Sequence, residues 1–135
     1  MARILVVEDD YQVRTMLRLT LEQMGHEVIE APDGKVACEK FRERPPDLTI
    51  TDIVMPEKEG IETIIDIRRE FPNAKIVAIS GGGRGGPEVY LDTAKKFGAL
   101  RSFTKPVDPV KLKNAIEELV GEEAPYQPSE ATREG

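Results

Sequence analysis

Apolar runs too short for most helices punctuate this chain, and each is followed by a segment of helical period. Ile4, Leu5, Val6 and Val7 form the first run. A short alternating run covers 27–30, a third ends at Asp52, a fourth covers 75–79 and a fifth 101–104. Between them, Val13, Met16, Leu17, Leu21 and Met24 share one helical face, and Gly25 ends that segment. Val36, Ala37 and Phe41 mark a second helix opened by Asp33 and Gly34. Ile61, Ile64, Ile65 and Phe71 mark a third, Leu91, Ala94 and Phe97 a fourth, and Leu112, Ala115, Ile116 and Leu119 a fifth. Asp10 and Asp108 stand where N-caps belong, and Pro45, Pro46, Pro72 and Gly98 close units. Strand and helix alternating through short connections require a parallel sheet, because parallel neighbours need a crossover. The expected fold is α/β, a doubly wound five-stranded parallel sheet with helices on both faces. The globular domain is expected over 1–120. From Gly121 the composition turns to Glu, Pro, Ser and Gly, so 121–135 is expected to be a disordered tail.

Ligands of such sheets bind outside the carboxyl ends of the strands. The residues there are Glu8, Asp9 and Asp10 after the first run, Asp52 after the third, Ser80 after the fourth and Lys105 after the fifth. Alone, Asp52 followed by Pro56 reads as turn chemistry. Acids and a lysine at the ends of neighbouring strands ask for more. Carboxylates converging on one cleft repel, and some would take up protons unless a cation joined them. The candidate ligands are all oxygen, so a hard divalent cation is implied, and Mg²⁺ fits few carboxylates plus water and a phosphate oxygen. With Lys105 and the Ser80 hydroxyl, such a site would cradle a phosphoryl group, and Asp52 itself can act as the nucleophile.

Composition narrows the function classes. A net charge of −6 does not favour a nucleic-acid surface. The single cysteine, Cys38, rules out an intrachain disulfide and fits a reducing compartment. With one histidine, His26, and no cysteine near it, a zinc site is not expected; His26 reads as a surface residue. No apolar run approaches membrane length. The start, Met-Ala-Arg running straight into a strand, leaves no room for a signal peptide. The expectation is a cytoplasmic protein with no membrane partner.

Val6-Val7-Glu8-Asp9-Asp10, Asp52-Ile53-Val54-Met55-Pro56, Ser80 after an apolar strand, and Phe103-Thr104-Lys105-Pro106 together resemble the receiver domain of two-component response regulators. The resemblance covers about 3–120. It implies strand order 2-1-3-4-5, an order the general rules for doubly wound sheets assign to a chemotaxis member. It implies Asp52 as phosphoryl acceptor, with Ser80 and Lys105 bonding phosphoryl oxygens. It implies Asp9 as the direct Mg²⁺ ligand beside Asp52, Glu8 reaching the metal mainly through water, and Val54 offering its backbone carbonyl. It implies a partner, a sensor histidine kinase or a histidine phosphotransfer protein, and a signalling phosphoacceptor with self-phosphorylation chemistry rather than an enzyme. Asp10 receives no family role, and a helix cap suffices for it.

Two features depart from the family pattern. The stretch from Gly81 to Gly86 holds five glycines, and the interval from Ser80 to Lys105 is long. The position three before Lys105, where the family carries an aromatic switch, is Ser102; Phe103, one residue on, should face the other way. A dinucleotide-binding enzyme is the rival reading from Gly81, Gly83 and Gly86, but that fingerprint belongs after a first strand, with an acid ending the next. A receiver-like interaction module that never carries phosphate is the other alternative. No DNA-binding domain is expected after residue 120, so output is expected through contact with a downstream target protein, which the sequence does not name.

Overall fold

The computed structural model describes residues 2–53, 59–81 and 87–121. The expectations for Val54, for the glycine stretch beyond Gly81 and for the tail from 122 onward fall outside the described residues. Ten elements alternate along the chain: β1 (Arg3–Val7), α1 (Tyr11–Gln23), β2 (Glu27–Ala31), α2 (Gly34–Glu43), β3 (Leu48–Asp52), α3 (Glu59–Glu70), β4 (Ile76–Ser80), α4 (Pro87–Lys96), β5 (Arg101–Thr104) and α5 (Pro109–Val120). The five strands form one parallel sheet in the order β2-β1-β3-β4-β5, as expected.

Local chemistry sets the helix starts. Asp10 accepts the backbone N–H groups of Gln12 and Val13, Asp33 that of Val36, and Asp108 those of Val110 and Lys111. Each satisfies donors that the first helical turn leaves orphaned. Gly25 and Gly98 end α1 and α4 at φ +94° and +124°, a region other residues rarely enter.

The strands alternate side chains between two cores. On one face, Leu5, Val7, Ala31, Ile76 and Ala78 pack with Ala37 and Phe41 of α2, Ile64 and Ile67 of α3 and Ala94 of α4. On the other, Ile4, Val6, Leu48, Ile50, Val77 and Ile79 pack with Leu17 and Leu21 of α1 and Leu112 and Ile116 of α5. Every residue of β3 and β4 is buried, as strands covered on both faces must be. Each fully buried Leu or Ile side chain contributes about 1.5–3 kcal/mol.

The helical faces read from sequence need correcting at their margins. Met16 and Phe97, expected inward, are 69% and 47% exposed. Periodicity names a face but not how far the neighbouring element extends over it. Ile67 is buried and was not foreseen, while Phe71 falls just after α3 and stacks on Phe41 with ring centroids 4.3 Å apart. Phe103 behaves as strand alternation requires, packing with the α1–α5 core while Ser102 pairs in register with Ala78 of the other face.

His26, expected as a plain surface residue, is half-buried and structural: its Nδ1 accepts the backbone N–H of Ala2 at 3.0 Å. Burial holds its pKa below the ordinary histidine value. The unfolded chain then binds a proton that the folded chain refuses. The stability contribution is full above the ordinary histidine range and is lost as pH falls through it towards the lowered folded value. His26→Gln keeps an acceptor for Ala2 without titrating. Thermal melts across that range should show the advantage of wild type over His26→Gln shrinking as pH drops; a gap that does not change with pH would refute the assignment.

Candidate functional site

The sheet order decides which strand ends meet. β1 and β3 are neighbours, with Val7 opposite Thr51; β4 follows with Ile79 opposite Asp52, and β5 with Thr104 opposite Ser80. Glu8 and Asp9 leave β1, Asp52 and Ser80 end their strands, and Lys105 follows β5. These five of the predicted residues therefore reach one edge. Glu8 and Asp52 are 1% and 3% exposed, Ser80 is fully buried and Asp9 stands exposed at the rim.

Lys105 binds the cluster together. Its Nζ donates to Glu8 Oε1 at 2.8 Å and to Asp52 Oδ2 at 3.1 Å. Its own backbone N–H donates to the Ser80 carbonyl at 2.9 Å, fixing the lysine to the end of β4. Gly81 leaves room for the lysine stem, since a Cβ there would stand 2.9 Å from Lys105 Cδ. Glu8 Oε2 accepts the N–H of Asp10 at 3.1 Å. Glu8 has a partner that the sequence reading missed: it is the tighter acceptor of the Lys105 ammonium. Asp10 also does more than cap α1, because its N–H orients Glu8.

Carboxylate oxygens of Glu8, Asp9 and Asp52 lie within 4.8 Å of one another. Burial pushes Glu8 up to about 7; the hydrogen bond from Lys105 opposes this, and the charge of Asp52 adds to it. For Lys105, burial works downward but is outweighed by the hydrogen bond it donates to Glu8 and the charge of Asp52, so its ammonium is held above the ordinary lysine value. Among the described residues, one ammonium stands among three carboxyl groups, two of them buried and one exposed. The donor set is all oxygen, so a hard divalent cation fits it on charge and ligand type. Asp9 at the rim offers the most accessible oxygens. Glu8, already engaged by two donors, suits contact through water.

Gly60, in the first turn of α3, is a further residue the sequence reading passed over. A Cβ there would stand 2.5 Å from the Asp52 carbonyl oxygen and 2.7 Å from the carbonyl carbon of Ile53. Glycine lets the helix press onto the backbone that carries Asp52. Only a lone glycine beside helix-forming residues could have signalled this close approach.

A family model, the response regulator receiver domain, matches residues 4–117. A chemotaxis protein CheY from Thermotoga maritima is 36% identical over 118 residues, covering 87% of this chain and 96% of that protein. The DNA-binding transcriptional regulator NtrC of Azospirillum brasilense is 32% identical, and the match covers 92% of this chain but 25% of that protein. Among solved structures, chemotaxis protein CheY4 of Vibrio cholerae superposes with a TM-score of 0.78 at 29% identity, covering 88% of this chain and 98% of that one.

Gly60→Ala tests the close approach. Helix propensity alone favours the change by somewhat less than 1 kcal/mol. Overpacking against the β3 backbone costs about 1–3 kcal/mol and should win. Denaturant melts should show net destabilisation, whereas a neutral or stabilising effect would mean that α3 retreats freely from Asp52.

Proposed function

Because the chain belongs to the response regulator receiver family, we propose that it is the phosphoacceptor of a two-component phosphorelay, taking a phosphoryl group onto Asp52. The observation that carries the reading is the buried Asp52 carboxylate held 3.1 Å from the Lys105 ammonium beside an acidic cluster. The donor is a phosphohistidine of a sensor histidine kinase or a histidine phosphotransfer protein. An Asp52 oxygen attacks phosphorus as the P–N bond breaks. The bonding pair returns to the ring nitrogen, and a proton on the other nitrogen leaves a neutral imidazole. The product is an acyl phosphate on Asp52.

The arriving group brings charge that this chain must meet. Lys105 is already placed to exchange carboxylate oxygens for a phosphoryl oxygen, and Glu8 keeps its ammonium at hand. Ser80, buried at the end of β4, would supply a hydroxyl donor to a phosphoryl oxygen. Asp9, Asp52 and, through water, Glu8 would hold Mg²⁺, with Val54 as the family's carbonyl ligand; when bound, the cation supplies charge neutralisation for the phosphoryl oxygens. The chain is in this reading a signalling phosphoacceptor rather than an enzyme, and its output is a changed contact with a target protein. No helix among the described residues is long and apolar enough to cross a membrane. The nucleotide-binding alternative gains nothing from the family match.

Incubation with acetyl phosphate and Mg²⁺ should add one phosphoryl mass that is labile in base. Asp52→Asn should lose it; equal uptake at residue 52 by that variant would refute the assignment, and no uptake by wild type would favour the non-phosphorylated interaction module.

Asp9→Ala should weaken Mg²⁺ binding and slow the reaction, while the metal-free protein melts slightly higher because one repelling charge is gone. An unchanged Mg²⁺ affinity would remove Asp9 from the ligand set.

A further inference from the structure

Arg14, on α1, has no part in the chemistry above, yet it is bonded to the acidic loop. We propose that Arg14 is a positioning residue whose guanidinium fixes the backbone of Glu8, and through it the carboxylates of Glu8 and Asp9, for Mg²⁺ binding. The inference rests on the phosphoacceptor reading only in taking those carboxylates as cation ligands.

Arg14 Nη1 donates to the Glu8 carbonyl oxygen at 2.8 Å, and its Nε donates to Glu30 Oε1 at 3.1 Å. The arginine side chain is only 14% exposed. Glu30, on β2, is held in turn by Arg18 Nε at 3.2 Å, and the Tyr11 ring lies 5.5 Å from Arg14 Cζ. The guanidinium is therefore held from two sides besides Glu8, by Glu30 and by the Tyr11 ring.

Glu8 sits just past the end of the β1 ladder. Its N–H still bonds the Ala31 carbonyl of β2 at 3.1 Å. Its carbonyl lies beyond the strand, and Arg14 supplies a donor there. The backbone N–H of Arg14 also bonds the Asp10 carbonyl at 2.9 Å. Asp9 thus lies between the Glu8 carbonyl, which the Arg14 side chain holds, and the Asp10 carbonyl, which the first backbone bond of α1 holds. Three carboxylates within 4.8 Å push this loop outward, and the Arg14 side chain opposes that push. The task needs a planar fork, because two separate nitrogens serve two partners on different strands; a lysine has one nitrogen.

Charge and position predict opposite signs. Deleting a cation beside an acidic site should, by charge alone, tighten Mg²⁺ binding. Loss of a residue that orients ligands should weaken it, typically by about tenfold or more. Mg²⁺ titrations of the full chain, read from the amide NMR signals of Asp9 and Asp10, would be run on wild type, Arg14→Met and Arg14→Lys beside thermal melts in chelator. The expected result is Mg²⁺ binding about tenfold weaker in Arg14→Met and intermediate in Arg14→Lys. At saturating Mg²⁺ the rate with acetyl phosphate should return to within about twofold of wild type, since the chemical groups are intact. Binding by Arg14→Met that is unchanged or tighter, even with a lowered melting temperature, would overturn the proposal and leave Arg14 a merely structural residue. Should Arg14→Met not fold, Arg14→Lys decides: weaker binding supports the proposal and unchanged binding overturns it. Wild-type amides that ignore Mg²⁺ would also overturn it. Wild type that binds Mg²⁺ there but takes up no phosphate would refute the phosphoacceptor reading alone.

Discussion

A single ammonium holds the working edge of this protein together. Lys105 bridges Glu8 and Asp52, residues far apart in sequence that the sheet brings side by side. Carboxylates this buried would repel or protonate without it. A buried pair stripped of one partner loses about 3–5 kcal/mol, so the lysine is as much a condition of the folded edge as a reagent. Its position is in turn set by backbone: the Ser80 carbonyl accepts the lysine's N–H, and Gly81 clears space for its stem. Stability and chemistry therefore compete for the same ammonium, because moving it towards a new oxygen loosens the bridge it forms with the carboxylates.

That bridge exists only because of strand order. With β1 between β2 and β3, and β4 and β5 following, the ends carrying Glu8, Asp52, Ser80 and Lys105 are consecutive across the sheet. Right-handed crossovers leave few other ways to wind this alternation of elements. The helices then serve the edge as well as the core. Asp10 starts α1 and orients Glu8, while Gly60 lets α3 rest on the carbonyl of Asp52. Covering both faces of the sheet leaves the carboxyl edge as a polar region between two dry cores, buried at Glu8, Asp52 and Ser80 and open at Asp9.

Much of this was legible in the sequence, for reasons that differ by residue. Asp10, Asp33 and Asp108 were readable as caps because capping is local chemistry within three residues. Asp52, Ser80 and Lys105 were readable because strand ends can be counted without knowing packing. Met16 and Phe97 were misjudged because helical period reports a direction, and the neighbour that would cover them stops short. His26 and Gly60 were missed because their importance is a distance to a backbone atom in another part of the chain. The ion pair from Glu8 to Lys105 was illegible for a related reason: charge types suggested attraction, but only geometry could say that Glu8 sits closer to the lysine than Asp52 does.

The fifth strand shows how a one-residue difference redirects a fold's internal wiring. Ile79 and Phe103 face each other in register and share the core beneath α1 and α5. Ala78 faces Ser102 on the opposite side, where Ala94 and Ala99 also lie in the core. An aromatic at 102 would fill the α4 side of β5; the aromatic at 103 instead packs against the cluster that holds Ile79 and Leu112. The bulk nearest the end of β5 therefore lies against the α1–α5 core. Among the described residues, those on the α4 side of this strand, Ala78, Ala94, Ala99 and Ser102, are small.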